Sequence, residues 1–398
     1  MQLTEIKEKT KSLSDSYLKE IIDIRRHLHT IPELGFEENK TAAFISKKLS
    51  EYGILHKTGI AKTGIVATIN GNRGQGKTIA LRADMDALPI TEDNNSEYKS
   101  ENDGVMHACG HDAHMACLLG AAKILNELKE EFSGTIKLFF QPSEEKFPGG
   151  ALAMIDEGVL KNPDVENVLG QHVLPQLEAG KIGLKAGKYM ASTDEIYLTI
   201  KGKGGHAATP ELYINPLMMA AELLVALDKE FNENKPSDNP SVLAFGRISG
   251  EGRTNIIPDE VKIEGTLRTF DEGWRAKTHE MILKTADEIC KKENGKCVVH
   301  IAKGYPVLVN NDLLTEKVKQ FAIDFLGIEN VVDLEMRMTA EDFAYFSQRV
   351  PSCFYRLGVR SGIEGIISNL HTSTFNIDES SLKTGTGLMA WIAINQLI

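Results

Sequence analysis

The chain has 398 residues, 42% of them hydrophobic and 25% charged, the mix of a globular protein rather than a disordered one. At roughly 150 residues per domain, that length suits two domains, or one large and one small. The formal net charge of −11 disfavours nucleic acid as the main partner, because phosphate binding needs a basic face.

The N-terminus, MQLTEIKEKTKSLSD, has neither an apolar core nor a small-residue cleavage site, so a secretory signal is not expected. The longest apolar stretches are Leu217–Leu227, broken by Glu222, and Leu388–Leu397. Both are too short for a bilayer span, and no membrane partner is expected. Cys109, Cys117, Cys290, Cys297 and Cys353 are an odd, sparse set that suits a reducing cytoplasm better than a disulfide framework.

In chain order, residues 15–30 are expected to be helical, with Leu18, Ile21, Ile22, Ile24 and Leu28 near one face and Pro32 ending the run. A second helix fits 40–52, and strands fit 64–69 and 78–81. An amphipathic helix over 113–128 is followed by strand 135–140, short helix 150–157 and strand 167–171. This alternation predicts an α/β domain with a doubly wound, mostly parallel sheet. After Gly187 the order changes to strand 195–201, helix 215–230, strands 242–248 and 261–268, helix 274–292 and strand 297–302. That is β-α-β-β-α-β, a ferredoxin-like α+β unit expected as an insertion over 187–301, leaving 1–186 and 302–398 as a discontinuous first domain. Helices over 312–326, 340–348 and 382–397 and a strand over 353–357 complete the first domain.

The densest chemistry lies in His107-Ala-Cys109-Gly-His111-Asp112-Ala-His114, just before a helix. A thiolate among imidazoles suits a transition metal, and a helix N-terminus helps the thiolate form. A buried cysteine with surface histidines is the plainer alternative. Gln141-Pro142-Ser143-Glu144-Glu145 follows an apolar strand, where ligand sites of open α/β sheets lie. One of its carboxylates can bind metal while the other handles a proton. Arg82-Ala-Asp84-Met-Asp86, Gln171-His172 and His371 also stand at or beyond strand ends. Acid, imidazole or thiolate on several such loops fits metal ligands gathered at one sheet edge.

The ordered set of motifs is specific. It runs from Arg25-Arg-His27-Leu-His29-x-x-Pro32-Glu33-Leu-Gly35-Phe-Glu37 through Leu81–Pro89, Met106–His114, Gln141–Glu145 and Gln171-His172. It continues with Gly204-Gly-His206-Ala207, Thr254–Asp259, Gly265–Arg268, Glu341–Ala344 and Leu370-His371. Over nearly its whole length the chain resembles the metallo-amidohydrolase and peptidase subfamily of hippurate hydrolase, N-acyl-amino-acid amidohydrolases (aminoacylases) and auxin–amino acid conjugate hydrolases. The resemblance implies two divalent metal ions, zinc or manganese with nickel or cobalt as alternatives. Their ligands would be Cys109, His111, Glu145, His172 and His371, with Cys109 as the bridge. It further implies Glu144 as general acid/base acting with a metal-bridging hydroxide, and Asp86 as the carboxylate orienting a metal-bound imidazole. His27, His29, His107 and His114 are not expected to be ligands. In the inserted lid/dimerisation domain, His206 matches an oxyanion donor, and Asn255 and Arg268 match residues that hold the substrate carboxylate. The implied activity is hydrolysis of N-acyl amino acids by a cytoplasmic homodimer or higher homo-oligomer. A metallo-dipeptidase or carboxypeptidase is the enzyme alternative, and an inactive metal or acyl-amino-acid binding protein the non-enzyme one. One departure stands out: relatives usually continue after the last histidine with Asn-Pro or Ser-Pro, whereas this chain has Thr372-Ser373.

Overall fold

The computed structural model describes residues 1–361 and 368–398. The chain opens with helices α1 (Leu3–Ser16), α2 (Leu18–Thr30) and α3 (Asn39–Glu51), then strands β1 (Leu55–Ile60), β2 (Gly64–Asn70) and β3 (Thr78–Asp84). Helix α4 (His111–Glu127), β4 (Thr135–Gln141), α5 (Gly150–Asp156), β5 (Asn167–Glu178), β6 (Ile182–Leu184) and β7 (Gly187–Met190) follow. Next come β8 (Ser192–Lys201), β9 (Gly205–His206), α6 (Pro216–Asn234), β10 (Ser241–Ser249), β11 (Ile256–Ile257), β12 (Glu260–Thr269), α7 (Glu272–Lys292) and β13 (Lys296–Lys303). The last elements are β14 (Leu308–Asn310), α8 (Asp312–Leu326), β15 (Val331–Asp333), α9 (Ala344–Ser347), β16 (Ser352–Arg360) and α10 (Ser381–Leu397). No helix among the described residues is long and apolar enough to cross a membrane.

Two compact units emerge. One comprises Met1–Gly187, Val309–Glu335 and Asp342–Ile398, and the other Lys188–Leu308 with Met336–Glu341. In the first, an eight-stranded sheet has the order β1-β2-β4-β3-β5-β16-β6-β15. Its middle strands β4, β3, β5 and β16 run parallel, while β1, β2 and β6 join antiparallel. Strands β4 and β5 lie on opposite sides of β3, so the connection from β3 to β4 and that from β4 to β5 cross the sheet in opposite directions. Such a reversal opens a crevice beyond the strand C-termini, the usual ligand position in this architecture.

Helix α4 differs from the amphipathic helix its sequence suggests: all but three of its residues are buried. It packs in one core with β3, α2 and α10, including Leu81, Leu118, Leu119, Ile124, Leu28 and Trp391. Fully burying each such Leu or Ile contributes about 1.5–3 kcal/mol, which fixes the helix carrying His111 at its first turn.

The second unit has a four-stranded antiparallel sheet of order β10-β12-β8-β13. Strand alternation turns Ile196, Leu198, Ile200, Val261, Ile263 and Leu267 toward α6 and α7, whose Leu223, Leu227, Ile282 and Ala286 complete a separate core.

Candidate metal centre

The cluster is assembled from loops that leave parallel strands and from strand β5 itself. Gly110 caps α4 with φ +82°, and a Cβ there would lie 2.6 Å from Val173 Cγ2. Glycine therefore permits the tight turn that sets Cys109 and His111 on the same cluster. Glu144 and Glu145 follow β4, and His172 lies within β5. His371 has φ +62°, a strained backbone for a residue with a Cβ, and its N–H donates to the Ala108 carbonyl at 2.8 Å.

Donor atoms of Cys109, His111 and His172 lie within 4.8 Å of one another, and so do those of Cys109, Glu145 and His371. Two triads thus share one sulfur. Cys109 Sγ is 3.5 Å from His172 Nε2 and 3.3 Å from His371 Nε2. Glu145 Oε1 is 3.2 Å from His371 Nε2.

The surroundings decide which imidazole nitrogen remains for a cation. His111 Nδ1 faces Asp86 Oδ1 at 3.2 Å, and its buried Nε2 has no hydrogen-bond partner among the described residues. His172 Nδ1 donates to the Val173 carbonyl at 2.8 Å, leaving Nε2 toward the sulfur. Asp86 Oδ2 also accepts the Glu145 N–H at 2.9 Å, so one carboxylate holds two donors. An orphaned imidazole nitrogen, a thiol and a carboxylate on adjoining triads form a donor set that fits two divalent cations.

Protonation of the bare cluster points the same way. Burial and then Glu145 and Glu144 push the Cys109 thiol well up. Burial opposes charge on His111, but Asp84 and Asp86 outweigh it and raise its pKa to about 10. The hydrogen bond to Glu145 raises His371, while burial and then Arg356 hold His172 well below its ordinary value. The carboxylates thus draw His111 and His371 toward their charged forms, which marks this cluster as a place of excess negative charge.

A third grouping, Asp84, His111 and His114, has the spacing for a cation but not the free lone pairs. His114 Nδ1 donates to Asp84 Oδ1 at 2.6 Å, and its Nε2 accepts the Val173 N–H at 2.9 Å. His114 instead steadies the strand carrying His172. His29 lies between Asp112 at 2.8 Å and Glu92 at 3.2 Å. Neither ring nitrogen of buried His107 has a hydrogen-bond partner among the described residues.

Glu144 is 6% exposed, with a carboxylate oxygen within 4.8 Å of donors on His111 and Glu145. The Asp342 N–H donates to its Oε1 at 3.4 Å. Asp342 in turn takes Arg82 Nη2 at 2.9 Å, Gln141 Nε2 at 2.8 Å and the Ala151 N–H at 3.0 Å. Asp342 and Arg82 lie in motifs legible in the sequence, yet nothing in their spacing tells that they meet behind Glu144.

The remaining candidates lie in the second unit. His206 pairs with Ile256 across β9 and β11, and the Ala207 N–H donates to the Asn255 carbonyl at 3.1 Å, so these two exposed residues share one short ladder. Arg268 lies on β12 with Thr193, Tyr197, Arg247 and Thr266 around a groove of about 460 Å³. Its half-buried guanidinium makes no hydrogen bond or ion pair among the described residues, and burial lowers its pKa.

The sequence profile of peptidase family M20/M25/M40 matches residues 80–395. The chain is 39% identical to an N-acetyl-L-cysteine deacetylase of Bacillus subtilis over 95% of this chain and 88% of that protein. It is 37% identical to a thermostable carboxypeptidase of Saccharolobus solfataricus over 94% of each. A crystal structure described as a dinuclear metal binding peptidase from the M20 family, also from Bacillus subtilis, superposes with TM-score 0.83 at 33% identity, covering 96% of this chain and 99% of that one. The chain belongs to the M20/M25/M40 peptidase family and is a metal-dependent amidohydrolase of that family.

Proposed function

We propose that the chain hydrolyses the amide bond of N-acyl amino acids, N-acetyl, N-benzoyl or related, to a carboxylate and a free amino acid. The observation that carries this reading is the sulfur of Cys109 shared by two donor triads beside the buried carboxylate of Glu144. The similarity to an N-acetyl-L-cysteine deacetylase supports it.

On this reading Cys109, His111, Glu145, His172 and His371 hold two divalent cations, zinc or manganese first, with nickel or cobalt compatible with the same donors. Cations there supply a water of lowered pKa and polarise the amide carbonyl. Glu144 takes a proton from the attacking water and returns it to the leaving nitrogen, its carboxylate steadied by the Asp342 N–H. Asp86 fixes the His111 ring through Nδ1.

The unit spanning 188–308 serves as lid and dimerisation domain. His206 donates to the developing oxyanion, while Asn255 and Arg268 hold the carboxylate of the amino-acid moiety. A half-buried arginine with no hydrogen bond or ion pair among the described residues supports that last role, because its planar fork matches a carboxylate. The edge position of β10 and the exposed Met218 and Val225 of α6 support a homodimer. Cys109 must stay reduced to serve as a ligand, which supports a cytoplasmic setting.

The test measures metal content and turnover of N-acetyl and N-benzoyl amino acids, with dipeptides beside them because a carboxypeptidase relative is also similar. Glu144→Gln should keep the metals and lose about 10²–10⁴-fold in kcat. Turnover unchanged in Glu144→Gln would sink the reading, and dipeptides cleaved in preference would replace it with a peptidase.

A further inference from the structure

Residues 33–38, from Glu33 through Gly35 to Glu38, have no role in the chemistry so far, and they precede the part of the chain matched by the family profile. They nevertheless reach the loop that carries Glu144. Glu38 is fully buried. Its Oε1 accepts the Ser143 N–H at 2.8 Å, and its Oε2 accepts the Thr63 hydroxyl. Ser143 is itself fully buried and has φ +50°, a conformation that residues with a Cβ rarely hold unless their surroundings impose it.

The contacts that impose it are visible. The Gly150 N–H donates to the Ser143 carbonyl at 2.8 Å. A Cβ on Gly35 would lie 2.6 Å from Ser143 Oγ, so the 33–38 segment sits directly on the strained residue. On the far side of Glu144, Asp86 takes the Glu145 N–H at 2.9 Å. Glu144 is thus bracketed by two amides, each bound to a buried carboxylate. The Asp86 side belongs to the metal centre, whereas on the other side Glu38 ties the Ser143 amide to the Thr63 hydroxyl. A carboxylate is a costly group to bury if all that is needed is to fill space. Spending it on the amide next to Glu144 points to geometry at that residue.

We infer that Glu38 is a positioning residue, holding Ser143 in its left-handed conformation so that the Glu144 carboxylate is aimed at the reacting amide. The inference rests on the amidohydrolase reading above. Glu38 touches neither substrate nor cation; it acts through Ser143.

The experiment uses the full-length chain loaded with zinc or manganese and assayed on N-acetyl and N-benzoyl amino acids. Glu38→Asp, Glu38→Ala and Glu38→Gln are compared for kcat, KM, metal content and melting temperature. Glu38→Asp draws the acceptor back by one methylene. Both it and Glu38→Ala should lower kcat about 10²-fold with KM within about threefold and metal content unchanged, since an error near 1 Å in a reacting group costs about that much. Glu38→Gln should stay within about fivefold of wild type, because its carbonyl can accept the Ser143 N–H while its amide donates to Thr63. If Glu38→Ala fails to fold, the contrast between Asp and Gln carries the test. A merely structural Glu38 would lower the melting temperature and leave kcat per metal-loaded chain intact, and that result overturns the inference. So does Glu38→Gln falling as low as Glu38→Asp. A wild type that releases no amino acid, or that matches Glu144→Gln, overturns the underlying reading and the inference with it.

Discussion

Asp86 shows how much one side chain can decide. Its two oxygens hold the His111 ring and the Glu145 amide. Asparagine keeps one acceptor but presents an NH₂ to whichever of the two N–H groups remains. Asp86→Asn should therefore weaken metal binding about 10–100-fold, as loss of such supporting partners generally does. A chelator competition assay checks this, and affinity unchanged would mean that His111 and Glu145 are positioned by other contacts. At this scale the sequence was informative about residue type and poor about lone pairs. The run from His107 to His114 announces a metal-binding chemistry, but His111 and His114 differ only in what their ring nitrogens meet. His371, 262 residues from Cys109, could be set at the same sheet edge by its place after a strand, but its role as a ligand came only with family resemblance. Glu38 lies just beyond the Arg25–Glu37 motif, and its reach to Ser143 is a purely tertiary fact.

The elements tell a similar story. Residues 15–30 look like one helix, but the chain forms α1 and α2 with Tyr17 between them. Tyr17 hydrogen-bonds Glu127 and lies under the Lys123 ammonium at 3.9 Å, so a contact with α4 breaks what local periodicity would continue. Helix α1 itself is masked by its lysines and glutamates, although Ile6, Thr10 and Leu13 make a buried stripe at helical spacing. The helix expected over 340–348 shrinks to Ala344–Ser347 because the Asp342 carboxylate is drawn into the Arg82 and Gln141 cluster. In the second unit, β8 and α7 are tied by Asp194, whose carboxylate takes Arg275, His279 at 2.6 Å and the Gly304 N–H at 3.0 Å. Burial would raise its pKa, but Arg275 and His279 win and lower it from 3.8 to about 2. A depressed carboxylate stabilises the folded state above its unfolded pKa, and that contribution disappears as pH falls from about 4 toward 2. Acid unfolding followed by circular dichroism should show Asp194→Asn less stable at neutral pH, with a flatter loss across that window. An unchanged acid limb would remove Asp194 as its cause.

For the molecule as a whole, the α/β character was legible because apolar strands alternate with helical stretches over the first 170 residues. The antiparallel joins at β1, β2 and β6 were not, since strand direction depends on where a connection lands rather than on local pattern. The same holds for the candidate centre, whose donors come from four separate stretches of chain and meet because β3, β4, β5 and β16 run side by side. One sulfur lying in both triads has a further consequence, and it is optical. Thiolate bound to cobalt(II) absorbs light by charge transfer, whereas imidazole and carboxylate ligation leave that region dark. Cobalt titrated into the metal-free chain should raise such a band with the first equivalent and shift it with the second, because both ions draw on one sulfur lone-pair set. Two equivalents that bind without the second disturbing the band would mean that the sulfur serves only one of them.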